Sequence, residues 1–230
     1  MTYAMHVSDS RDGRLFDAQS GCSVFSQRVL RVDMPAEQRD PDSDEVLYVL
    51  DGAGRITIDG DEHDLRPGTS VFVAAGTEWS VVGELTAVSV LVHEPVPSPR
   101  PAAVLDLAAS ERQSATAGRQ FVLGATPEVG CASVTQFIGL VPPGRAPDHF
   151  HTYDEVIYVL EGEGALHIGG DEAPLRAGSC VHLPARLVHC LENTGDSELR
   201  LLGVFRPAGS PAEAYYPDGT LAVLPDQDKE

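Results

Sequence analysis

The sequence predicts an all-β chain built as two tandem antiparallel barrels or sandwiches, and three observations predict it. A nine-residue stretch occurs twice: Asp44-Glu45-Val46-Leu47-Tyr48-Val49-Leu50-Asp51-Gly52 matches Asp154-Glu155-Val156-Ile157-Tyr158-Val159-Leu160-Glu161-Gly162 at an offset of 110 residues. The apolar residues fall in short runs rich in Val, Leu, Ile or Tyr and bounded by Gly, Asp or Pro, with no sustained helical period. The 22 glycines and 17 prolines suit many short strands joined by turns.

The repeat divides the 230 residues into a first domain, 1–100, and a second, 101–230. Each is near the usual domain size of about 100 residues. In the first, residues 1 to about 20 are polar and without period. Strands are expected at 24–32, 46–50, 55–58, 70–74, 79–82 and 85–92. Residues 94–101 carry prolines at alternate positions and read as a stiff extended linker. Residues 104–111 read as one or two short helical turns. In the second domain, strands are expected at 134–141, 156–160, 165–168, 179–183, 187–192 and 199–205. The tail from Arg206 carries four prolines and is expected to pack loosely over a surface.

Charge and composition exclude several classes. The formal net charge is −19 and the pI about 4.6, so nucleic acid and anionic membranes are not expected partners. No apolar run approaches the roughly 18 residues of a membrane span. The N-terminus lacks a basic region followed by an apolar one, so a cytoplasmic location is expected. The four cysteines, Cys22, Cys131, Cys180 and Cys190, show no CxxC spacing and read as small buried thiols. Cys190 should face away from its neighbour His189.

The chemistry sits in the second domain. Gly144-x4-His149-Phe-His151-x3-Glu155-x6-Gly162 is followed by Gly178-x5-Pro184-x4-His189-x3-Asn193. Residues i and i+2 of a strand share a face, so His149 and His151 can reach one ion. A turn through Thr152 and Tyr153 brings Glu155 back beside them, and His189 closes the set from a distant strand. Three imidazoles and a carboxylate suit one divalent transition metal: Fe(II), Mn(II), Ni(II), Co(II) or Zn(II). The absence of thiolates argues against a closed structural zinc site. Carried back through the repeat, His149 falls on Arg39, His151 on Pro41 and His189 on Trp79; only Glu45 survives. Trp79 is expected to fill the empty first pocket, and Arg39 is the expected partner of Glu45.

These two motifs resemble those of the cupin superfamily, and the duplication resembles a bicupin. The resemblance covers roughly 24–93 and 133–206. It implies two tandem cupin domains, each an antiparallel jelly-roll β-barrel, with the metal ligands His149, His151, Glu155 and His189 intact only in the C-terminal one. In two turns the chain departs from the family pattern: Gly144 stands one residue nearer His149, and Arg186 stands where the second motif has Gly. The resemblance also implies pairing of the two barrels within the chain, and leaves room for a homodimer.

Other residues weigh toward ordinary roles. His167 and His182 align with Thr57 and Phe72 and read as strand histidines. Tyr158 repeats as Tyr48 and reads as packing. Phe150 should be buried opposite its histidine neighbours, and Phe137 either lines the barrel mouth or belongs to the core. Arg186 reads as an exposed turn arginine. The function expected, by analogy with cupins of this ligand set, is a mononuclear non-haem Fe(II) dioxygenase acting on a small molecule, with Glu155 as ligand and base. Redox-neutral isomerase, decarboxylase, hydrolase or cyclase chemistry on the same site is the alternative, and a non-enzymatic sensor or binding module the third reading.

Overall fold

The computed structural model describes residues 3–10, 13–38 and 40–222. Among these, regular structure is strand apart from short 3-10 turns, and no helix is long and apolar enough to cross a membrane. In the first half, antiparallel strands lie in the order Arg14–Phe16, Phe25–Val32, Trp79–His93, Ser43–Ile58, Thr69–Val73, Ala102–Asp106. Ala36–Gln38 and Asp61–Leu65 pair with the far ends of the two long strands. In the second half, Ala4–His6, Ser179–Leu183, Asp154–Glu161, Leu199–Arg206, Thr135–Val141, Gln120–Leu123 and Gln113–Ser114 form one sheet. Gly144–Arg145, Cys190–Asn193, Glu163–Ile168 and Asp171–Arg176 form the facing one.

The strands expected at 46–50 and 55–58 are one strand, Ser43–Ile58. Asp51-Gly52 makes a bulge and not a turn: the register shifts between Val49 and Asp51, so the strand bends across both faces of the barrel. Gly52 sits there at φ 84°, and a Cβ would lie 2.2 Å from the Glu84 carbonyl oxygen. Residues 104–111 are not chiefly helical. Ala102–Asp106 is a strand on the edge of Thr69–Val73, and only Leu107–Ala109 turns, capped by the Asp106 side chain. The free sheet edge outweighs the weak local helical preference. The polar N-terminus likewise contains a strand, Ala4–His6.

Both of these unexpected strands cross over. Ala4–His6 opens the first half but pairs with Ser179–Leu183 of the second; Ala102–Asp106 opens the second half but pairs with Thr69–Val73 of the first. The exchange is symmetric, since Met5 faces Cys180 while Leu105 faces Ser70, its counterpart 110 residues earlier.

Strand alternation sorts the repeated stretch into three cores. Leu47 and Val49 point into the first barrel, Ile157 and Val159 into the second, and Val46, Tyr48, Val156 and Tyr158 join a third cluster made by both halves. Buried polar groups cross that middle core in pairs. The Gln136 amide donates to the Leu47 carbonyl and the Gln27 amide to the Ile157 carbonyl, both at 3.3 Å. The Gln136 carbonyl oxygen in turn accepts from the Ser70 hydroxyl. The equivalent of Ser70 is Cys180, and Gln27 Oε1 is left buried without a partner.

Candidate metal centre

His149 and His189 are held by each other's backbones. Each N–H donates to the other's carbonyl, at 2.9 and 2.8 Å, an isolated antiparallel bridge at the mouth of the second barrel. His151 follows two residues on, and its carbonyl accepts from the Arg186 N–H at 2.7 Å. Arg186 makes that bond in the left-handed region, at φ 66°, where the related motif would place Gly. One potential ligand nitrogen from each of His149, His151 and His189 lies within 4.8 Å of the others. The ring centroids stand 4.7 to 5.3 Å apart.

The ring orientation is set from behind. His149 Nδ1 lies 3.0 Å from the Pro147 carbonyl, His151 Nδ1 2.8 Å from that of Glu213, and His189 Nδ1 2.8 Å from that of Leu187. A carbonyl only accepts, so each Nδ1 carries the proton and each Nε2 keeps its lone pair for the centre. Burial pulls all three below the usual imidazole range, His151 to about 3, and the neighbouring imidazoles add to it at His151 and His189. The cluster is therefore neutral at neutral pH, the form that ligates a metal.

Glu155 lines the same cavity but stands outside the three-histidine group. Its carboxyl is buried and, among the described residues, has no hydrogen bond or ion pair. Burial pushes its pKa up to about 8, with the Arg119 charge opposing. Glu45, its counterpart, is satisfied: the Ser89 hydroxyl donates to it at 2.5 Å and the Arg28 guanidinium at 3.2 Å. Arg28 thus takes the partner role expected of Arg39, which lies outside the described residues. Strand pairing explains the contrast. Arg28 and Ser89 occupy the register positions that Phe137 and Gly203 hold in the second barrel. A Cβ on Gly203 would stand 2.2 Å from the Phe137 ring and 2.9 Å from Glu155 Oε1. The second barrel has exchanged a hydroxyl and a guanidinium for a glycine and an aromatic wall, leaving its carboxyl unpaired.

Several lining residues carried no sequence signal. Arg119, half-buried just ahead of the strand Gln120–Leu123, reaches the Leu191 carbonyl at 2.8 Å and presents positive charge toward Glu155. Tyr153 stacks on His151 at 4.7 Å and on Phe205 at 3.9 Å, fixing that imidazole from its other face. The tail, expected to pack loosely, is part of the site. Tyr215 exchanges two backbone hydrogen bonds with Phe150 and stacks on its ring, Glu213 holds His151, and Pro211 and Ala214 line the cavity. The half-buried Phe150 supplies the strand edge that the tail joins; residues 223–230 lie outside the described region.

The other expectations sort plainly. Phe137 lines the cavity. His167 pairs with Glu192 at 2.7 Å on the smaller sheet, and His182 is buried against Phe16 in the middle core, so neither faces the histidine cluster. Trp79 is buried among Leu47, Val49, Ile56 and Val71 and fills the first barrel. All four cysteines are free and buried, and the Cys190 thiol turns away to the Ala146 carbonyl.

A barrel with histidines from two motifs at its mouth defines a class, and comparison with known proteins agrees. The Cupin_2 family model, described as a cupin domain, matches residues 31–92 and 137–205, and the chain belongs to this family. It is 29% identical over 103 residues to the polyketide synthase CurC of Streptomyces cyaneus, covering 44% of this chain and 67% of that one. It is 36% identical over 66 residues to an oxalate-binding protein of Thermotoga maritima, covering 28% of this chain and 54% of the other. Oxalate decarboxylase from Bacillus subtilis superposes with a TM-score of 0.72 at 15% identity, covering 91% of this chain and 77% of that one, a likeness of fold.

Proposed function

We propose that the protein is a metal-dependent enzyme that acts on a small oxyanion-bearing molecule in the C-terminal barrel. One observation carries this reading: three neutral imidazoles, each pinned through Nδ1, converge beside a buried carboxyl that has no partner. When bound, a divalent transition ion supplies Lewis acidity or, as Fe(II), access to dioxygen chemistry. His149, His151 and His189 would hold it, with Glu155 as fourth ligand or as the group that takes and returns a proton at the substrate. Arg119 is placed to meet an anionic oxygen. Phe121, Phe137 and Leu201 keep water from the remaining walls. The cavity is about 70 Å³. At roughly 10–15 Å³ per water that is space for about five, which favours a small substrate.

Within this class, mononuclear Fe(II) dioxygenation is the first reading, because the mixed nitrogen and oxygen donor set suits that ion. Redox-neutral chemistry is the second, and the position of Glu155 outside the histidine group favours it: a carboxyl free of the metal is available for proton transfer throughout. Elemental analysis of protein purified without chelators, beside a His151→Ala control, decides whether the centre binds metal. Dioxygen consumption with small carboxylates then separates the two. Near-stoichiometric iron, lost in the variant, together with dioxygen uptake supports the first. Zinc or manganese with turnover but no uptake supports the second. Metal without turnover of any substrate leaves a binding module, the role named for the Thermotoga maritima relative. An absence of metal in the native chain ends all three.

A further inference from the structure

A cavity larger than that of the metal centre lies elsewhere among the described residues. It is a cleft of about 670 Å³ between the two barrels, within the usual size of small-molecule sites. Its floor straddles the internal symmetry. Tyr48 and Tyr158, Leu50 and Leu160, and Gly68 and Gly178 line it as pairs 110 residues apart. The two tyrosines are more than nine-tenths buried, at 7% and 8% exposure. Neither hydroxyl has a hydrogen-bond partner among the described residues. Both tyrosines line the open cleft, and their hydroxyls are not sealed in the core, so a ligand there can reach them.

A third donor sits at the same place. Arg200 lines the cleft, its charge acts on Tyr48, and its Nε is buried with no partner. Its guanidinium leans on Glu161 only at 3.6 Å, and Arg112 at the rim is paired with Glu198 at 3.4 Å. Glu161 lines the cleft too, and a bound oxyanion would compete with it for Arg200. Between the donors and the rim, Val122, Ile138 and Leu140 supply an apolar wall. Two tyrosine hydroxyls and a guanidinium beside an apolar wall match an oxyanion carried on a hydrophobic body.

We infer that the cleft between the barrels is a second ligand site. It takes a small organic carboxylate with an aromatic or branched apolar body, its oxygens meeting Tyr48, Tyr158 and Arg200. The site is independent of the metal centre, which lies inside the second barrel.

The test is calorimetric titration of the full chain with benzoate, using benzyl alcohol as a neutral probe of the same shape. The variants are Tyr48→Phe/Tyr158→Phe, which keeps the packing, Arg200→Gln, and His151→Ala, with thermal melts to establish that each folds. The expected result is benzoate binding that is unchanged in His151→Ala and at least about tenfold weaker in the tyrosine pair and in Arg200→Gln, with benzyl alcohol weaker by a similar factor. Benzoate binding lost in His151→Ala but kept in the tyrosine pair places the ligand at the metal centre and overturns the inference. Equal affinity for benzoate and benzyl alcohol, or no heat with either, overturns it too.

Discussion

His151 donates its Nδ1 proton to the backbone carbonyl of Glu213, 2.8 Å away and 62 residues further along the chain. The tail is therefore a support of the metal centre and not only a cover. Partners that hold a ligating imidazole commonly account for 10–100-fold in metal affinity. A chain ending at Gly209 should still fold, because its Thr135 contact and both sheets remain. Its metal affinity in chelator competition should fall by about that factor. An unchanged affinity would mean that packing from Tyr153 alone orients the ring.

Glu155 should make the metal-free protein less stable in alkali. Its carboxyl holds its proton up to about pH 8 when folded, against a usual value of 4.5. Between those values the unfolded chain has lost a proton that the folded chain keeps, so stability falls as pH rises and the full penalty is present above the folded value. In Glu155→Gln that slope disappears. Thermal melts of the metal-free proteins from about pH 5 to about pH 9 should show the variant gaining on the native chain as pH rises. A constant difference would place the proton elsewhere.

Cys180→Ser should stabilise the fold. It rebuilds in the second half the hydroxyl that Ser70 offers Gln136 in the first, and Gln27 Oε1 is the acceptor now without a partner. A satisfied buried acceptor is worth about 1 kcal/mol. Denaturant unfolding should show that gain, and a double variant with Gln27→Leu should lose it.

Trp79→Ala should cost about 3–5 kcal/mol, because it empties the middle of the first barrel. Metal content should be untouched. A loss of metal in that variant would show that the two barrels are not independent in ligation.

The duplication, the strand alternation and the three histidines were legible because each is a local pattern: a repeat, a period of two, an i, i+2 spacing. Trp79 was readable as filler for the same reason, since it stands at a ligand position in a second copy. What was hidden depends on pairing between distant segments. Arg119 is one arginine among many until the strand beside it joins the barrel. The tail reads as proline-rich coil, yet Tyr215 finds an open backbone edge at Phe150, and the hydrogen bonds there decide its path. The strands Ala4–His6 and Ala102–Asp106 are too short to announce themselves; each exists because a neighbouring edge offers partners. The contrast between Glu45 and Glu155 was half visible. The repeat aligned the carboxylates, but only the sheet register placed Arg28 beside one and Phe137 beside the other.

The crossed leading strands tie the halves as two people shaking both hands are tied. Cutting the peptide anywhere in 94–101 would sever the covalent link yet leave Ala4–His6 zipped to Ser179–Leu183 and Ala102–Asp106 zipped to Thr69–Val73. Such a nicked molecule should elute as one particle. The first barrel is then no spare part: its half of the chain carries the ribbon that finishes its neighbour's wall, and losing it would fray the very sheet on which Glu155 stands.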